Sequence, residues 1–144
     1  MLIVQKYGGT SVANPERIQS AAARIAEYWE KNDSVVAVVS AMSGVTDSLI
    51  KMAHSLIPSP NRREMDVLLA TGEQTTIALM ALALHARGIP ATSLTGAQAG
   101  IRTDQAHTRA KIKNISPTKI RECLSQGHVV IVAGFQGETD DRMI

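Results

Sequence analysis

A chain of 144 residues that is 44% apolar but only 3% aromatic must build its core from Ile, Val, Leu, Met and Ala. Such a core suits helices packed on a parallel sheet better than a small all-β domain. The 15 basic and 13 acidic side chains are interspersed and sum to a formal charge of +2, which argues against a nucleic-acid-binding arm or a polybasic membrane patch.

Leu2–Lys6 predicts a short strand that runs into Gly8-Gly9-Thr10-Ser11. Asn14-Pro15 is a helix start, with Asn as N-cap and Pro at the first helical position. Ile18, Ala21, Ala22, Ile25, Tyr28 and Trp29 then recur at helical spacing until Asn32-Asp33. Val35–Val39 is an unbroken apolar run of the kind buried on both faces of a sheet. It ends in the small-residue loop Ser40–Gly44, and Leu49, Ile50, Ala53, Leu56 and Ile57 form a second helical stripe stopped by Pro58. Arg62–Arg87 is helical again, with a break expected near Thr71-Gly72 and a left-handed cap at Gly88. Ala91–Thr95 is a weaker strand. Residues 96–114 carry little pattern beyond a short strand at Ala110–Ile112. Ser116-Pro117 opens a helix that Gly127 ends, and Val129–Ala133 is a second buried strand leading into Gly134-Phe135-Gln136-Gly137. Strands alternating with helices predict an α/β fold: three layers, α-β-α, around a mainly parallel sheet.

Two further classes are set aside. Cys123 is the only cysteine, so no internal disulfide and no Cys/His metal cluster can form, and reducing cytoplasm is the default compartment. Met1–Val4 is too short for a signal sequence, and no unbroken apolar run nears the roughly 18 residues of a membrane span. The four histidines, His54, His85, His107 and His128, have no ligand spacing and read as surface or satisfied residues.

Ligands of open α/β sheets bind beyond the carboxyl ends of the strands. Three strands here end in small polar loops: at Lys6–Ser11, at Ser40–Gly44 and at Gly134–Gly137. Gly8 and Gly9 let the backbone approach a bulky anion and could form a nest of N–H groups with Lys6 beside it. Taken alone, Lys6 reads first as a strand-end lysine with its head in water. Thr46-Asp47 could simply cap a helix. Glu73 could be a solvated helix carboxylate or, flanked by Thr71, Thr75 and Thr76, could grip a substrate ammonium. Phe135, the only Phe, lines a pocket or packs from its loop. Neither Gly-x-x-x-x-Gly-Lys-[Ser/Thr] nor Gly-x-Gly-x-x-Gly occurs, which sets aside P-loop NTPases and Rossmann dehydrogenases.

Lys6-Tyr7-Gly8-Gly9-Thr10-Ser11 resembles the N-terminal signature of aspartate kinases. Val39–Asp47, Leu68–Glu73, Thr95–Gly100 and Val132–Gly137 are similar to their later signatures, in the same order and register. The resemblance implies the amino acid kinase fold and transfer of the ATP γ-phosphoryl group to the β-carboxylate of L-aspartate, the first step toward lysine, threonine and methionine, in a cytoplasmic homo-oligomer. Carried over by position, Lys6, Gly8, Gly9 and Thr10 would hold the ATP phosphates, with Lys6 catalytic. Ser40, Thr46, Glu73 and Phe135 would bind aspartate, Glu73 at its α-amino group. Mg²⁺ would enter with ATP, and no residue is assigned to a metal. The family continues with a Gly-Arg-Gly-Gly-Ser-Asp segment and a nucleotide lobe not found within these residues. The expectation is therefore that residues 1–144 form the amino-acid side of a kinase domain, with little activity alone. A kinase for glutamate, N-acetylglutamate or carbamate, and a non-catalytic binding or assembly fragment, are the alternatives.

Overall fold

The computed structural model describes residues 1–144. Four parallel strands, β1 (Leu2–Tyr7), β2 (Ser34–Val39), β6 (Val129–Ala133) and β3 (Ala91–Leu94), lie side by side in that order. Tyr7 pairs with Val39, and Val39 with Ala133, so β1, β2 and β6 end level and their following loops leave from one rim. Every residue of β6 is buried, as expected for a central strand covered on both faces.

The two faces carry separate cores. On one, Tyr7, Val35, Ala37, Val39, Val129 and Ile131 pack against Ile18, Ala22 and Ile25 of α1 (Pro15–Trp29) and Ile77, Met80 and Leu84 of α3 (Arg62–His85). On the other, Val36, Val130, Val132 and Leu94 pack against Cys123 of α4 (Thr118–Ser125) and Ala99. The three layers are thus as expected, although the second helical layer is one short helix. It leaves Leu2 and Val4 of β1 largely exposed.

The helix ends follow local chemistry. The Asn14 side chain accepts from the Arg17 amide at 2.9 Å, and Asn61 accepts from Arg63 and Glu64, satisfying amides that have no partner within the helix. Gly88, at φ +75°, turns the chain left-handed after α3, and the Ile89 amide reaches back to the Leu84 carbonyl.

Three expectations need correction. First, α3 does not break at Thr71-Gly72; it is continuous for 24 residues. Gly72 is there for space, because a Cβ would meet Val45 Cγ1 at 3.1 Å and Ala41 Cβ at 3.2 Å. The helix gives up about 1 kcal/mol of intrinsic propensity at this glycine and in return lets the loop after β2, which carries Ala41, lie directly on it. Second, the helix expected from Leu49, Ile50, Ala53 and Leu56 forms as α2 (Val45–Leu56), but Ile57 lies just beyond it and its stripe buries no residue fully; it rests on α3 with Met52 and Leu56 exposed. Third, residues 96–114, which carry little pattern, hold more than one strand, and the short strand expected at Ala110–Ile112 lies at Ile112–Ile115 instead. β4 (Ile101–Thr103) and β5 (Ile112–Ile115) form an antiparallel pair. Its outer edge takes up the loop after β6, through Thr103 N–H to the Glu138 carbonyl, Glu138 N–H to the Ile101 carbonyl, and an Arg102–Glu138 ion pair.

By length and apolar composition α3 could cross a membrane. Its composition is accounted for by Ile77, Met80, Ala81 and Leu84, which are core residues of the sheet layer.

Candidate active site

A cavity of about 140 Å³ opens at the carboxyl rim of the sheet. Its lining includes Thr46 from α2, Asp66, Leu69 and Glu73 from α3, and Phe135 and Gln136 from the loop after β6. Thr46 does not cap its helix. The N-cap is Gly44, at φ +79° with no side-chain bond, so the Thr46 hydroxyl stays available to the cavity.

Glu73 is buried, at 4% exposure. Its Oε2 accepts from the Phe135 amide at 3.1 Å and from the Gln136 side-chain amide at 3.2 Å. Oε1 has no protein donor and is not sealed from the cavity that Glu73 lines. Burial pushes this carboxyl above its ordinary range, while the bonds from Gln136 and Phe135 pull it back. A desolvated carboxylate with one oxygen pinned and the other open is suited to a small cation that brings its own N–H donors.

The neighbouring threonines do not share that task. Thr71, Thr75 and Thr76 donate to the carbonyls of Leu68, Thr71 and Gly72 on their own helix. Phe135 is not core: it is 89% exposed at the cavity mouth. Asp66 belongs to the lining although no sequence signal singled it out. It accepts from His107 Nδ1 at 2.9 Å and from the Thr108 amide at 3.1 Å. That anchors the β4–β5 loop to α3.

Lys6, Gly8, Gly9, Thr10 and Ser40 sit on the same rim but do not line this cavity. Lys6 pairs in register with Val38, so it projects from the face of β1 opposite to Tyr7 and the α1–α3 layer. It is exposed and takes part in no ion pair. Gly8 is extended, at φ −77° and ψ 170°, and Gly9–Val12 is a 3-10 turn. The alternating left- and right-handed nest is therefore not what this backbone forms. The Gly8 amide nevertheless has no protein acceptor, and Gly9 and Thr10 open a turn whose first amides have none within it. Free amides beside an unpaired lysine are a donor set that fits phosphate oxygens. Ser40 is half-buried, its amide bonded to the Tyr7 carbonyl at 3.2 Å. The histidines are satisfied: His85 by the Ala91 carbonyl, His128 by Thr92, His54 by the Pro58 carbonyl and His107 by Asp66.

The sequence profile of the amino acid kinase family matches residues 1–143. The chain belongs to the amino acid kinase family. It is 55% identical over 139 residues to an aspartokinase of Geobacillus stearothermophilus, and 54% identical over 136 residues to an aspartokinase of Pseudomonas aeruginosa. These matches cover 96% and 94% of this chain but 34% and 33% of those relatives, so the chain spans about a third of their length. The crystal structure of aspartate kinase from Synechocystis superposes with a TM-score of 0.80 at 48% identity, covering 95% of this chain and 22% of that one. Isopentenyl phosphate kinase superposes at 0.68 with 23% identity, covering 99% of this chain and 61% of that one, a likeness of fold alone.

Proposed function

We propose that residues 1–144 supply the amino-acid side of an aspartate kinase site, the whole protein transferring the γ-phosphoryl group of ATP to the β-carboxylate of L-aspartate. The observation that carries this reading is Glu73, a buried carboxylate at the floor of a small cavity with one oxygen left open. An α-ammonium group fits it by charge and by donor count. The sequence relatives at 54–55% identity are aspartokinases, which favours aspartate over glutamate, N-acetylglutamate or carbamate.

The chemistry needs no general base, because a carboxylate is already ionised near pH 7. One β-carboxylate oxygen forms a bond to the γ-phosphorus, the bond from that phosphorus to the bridging oxygen breaks, and ADP leaves with the electron pair. Two anions must be brought together, so catalysis consists of alignment and charge neutralisation. In this reading Glu73 holds the ammonium, Thr46 and Ser40 position the substrate's carboxylates, and Phe135 closes the mouth. Lys6 and the amides of Gly8, Gly9 and Thr10 meet the phosphates from the adjoining strand end. Mg²⁺ carried by ATP supplies further charge neutralisation. A cytoplasmic setting and assembly into homo-oligomers belong to the same proposal.

The test is calorimetric titration of the chain with L-aspartate, with succinate, and with ATP in Mg²⁺. Succinate keeps both carboxylates and lacks the ammonium. Binding of aspartate but not succinate supports the assignment; equal binding of the two, or of neither, refutes it.

A further inference from the structure

We propose that Gln136 is a positioning residue whose side-chain amide, together with the Phe135 backbone N–H, fixes Glu73 so that only Oε1 faces the cavity. This deepens the reading of Glu73 as an ammonium acceptor and rests on it for the ligand. The positioning itself rests on geometry alone.

Three observations carry it. Gln136 Nε2 lies 3.2 Å from Glu73 Oε2 and 3.3 Å from the Ala70 carbonyl, so one NH₂ group bridges the carboxylate and the helix turn that bears it. Both donors to Glu73, the Phe135 amide and the Gln136 side chain, converge on the same oxygen. The Gln136 backbone is itself held from behind, since the space a Gly96 Cβ would need is taken by the Gln136 carbonyl, 1.8 Å from that position. Only a residue without a Cβ permits this approach. The strand-end loop of β6, the β3–β4 connection and α3 are thereby tied at one point, and that point sets the carboxylate's orientation.

The physical need is specific. A buried carboxylate without donors takes up a proton, and a protonated Glu73 cannot pair with an ammonium. Two donors on Oε2 stabilise the ionised form and stop the group rotating to turn both oxygens toward the loop. A mainly structural Gln136, stitching the loop to Ala70, would stabilise the fold without altering how Glu73 ionises.

The experiment is a carbon-13 NMR titration of the Glu73 side-chain carboxyl in the whole chain, in wild type and in Gln136→Leu, which keeps the volume and removes the amide. The expected result is an ionisation constant for Glu73 that falls about tenfold in the variant, equivalent to about 1.4 kcal/mol. Aspartate affinity should fall in the variant at pH values below its Glu73 midpoint, where the carboxyl is protonated. In unmodified protein, which needs no variant to fold, the Gln136 side-chain amide resonances should shift with the same midpoint as the Glu73 carboxyl. A folded Gln136→Leu chain whose Glu73 titrates as in wild type would overturn the proposal. So would Gln136 amide resonances in wild type that ignore the Glu73 titration. If Glu73 responds as expected but aspartate binds neither protein, the positioning role stands and the substrate assignment fails.

Discussion

Replacing Glu73 with Gln separates the two things this carboxylate does, because the amide keeps the shape and one acceptor oxygen but carries no charge. With its oxygen turned toward Phe135 and Gln136, the new side chain accepts from the same two donors that now lie at 3.1 and 3.2 Å. Its NH₂ group then faces the cavity, where an ammonium would meet a donor in place of an acceptor. Opposite charges about 4 Å apart are worth about 4 kcal/mol at an effective dielectric near 20, before desolvation. A net charge-assisted hydrogen bond retains about 1.5–3 kcal/mol. Aspartate affinity is therefore expected to fall roughly ten- to hundredfold. Stability should move the other way. The Glu73 carboxyl in the fold titrates above its ordinary range, so the native state holds more protons than the unfolded one between the two midpoints. Wild-type stability then declines as pH rises from the usual carboxylate range through the folded midpoint, and is level above it. Glu73→Gln removes that decline and should melt at or above the wild-type temperature at neutral pH. The assays are calorimetry with aspartate and thermal melts across pH 4 to 8. A variant that binds aspartate as wild type does, or one whose melting temperature keeps the wild-type decline with pH, would refute the reasoning.

Lys6→Met should weaken binding of ATP with Mg²⁺ about tenfold, the effect of losing one partly solvated charge contact, and leave the melting temperature unchanged because Lys6 is exposed and in no ion pair. Gly72→Val must push aside Val45 and Ala41, which already stand 3.1 and 3.2 Å from a Cβ position. Urea unfolding should show a loss of about 1–3 kcal/mol, and calorimetry a weaker aspartate isotherm as Thr46 shifts. Asp66→Ala frees the β4–β5 loop from α3. Hydrogen exchange at Thr108 should quicken about fivefold, equivalent to about 1 kcal/mol of local opening, with global stability little changed.

Much of the fold was legible because its signals are local. Val35–Val39 and Val129–Ala133 are so uniformly apolar that only a doubly covered strand accommodates them. Asn14-Pro15 opens its helix with a cap that reaches an amide only three residues away. Gly72 misled for the opposite reason. A glycine inside a helical pattern signals a break when only neighbours are considered, whereas here it answers to Ala41 and Val45 on another element. The β4–β5 pair was obscure because β5 is wholly exposed and lacks an apolar alternation, and it is held by backbone bonds to Glu138 far along the chain.

The sequence by itself determined the order along the chain of the four parallel strands and the helices between them, and the small polar loops at the strand ends. The tertiary structure alone decided which of these meet. Thr46, Glu73 and Phe135 share a cavity with Asp66 and Gln136, while Lys6 leaves from the opposite face of the sheet. The reason is that strand and helix preferences are properties of adjacent residues, but strand register and the packing of α3 against the loop after β6 join segments some sixty residues apart, such as Glu73 and Gln136, 63 positions along the chain.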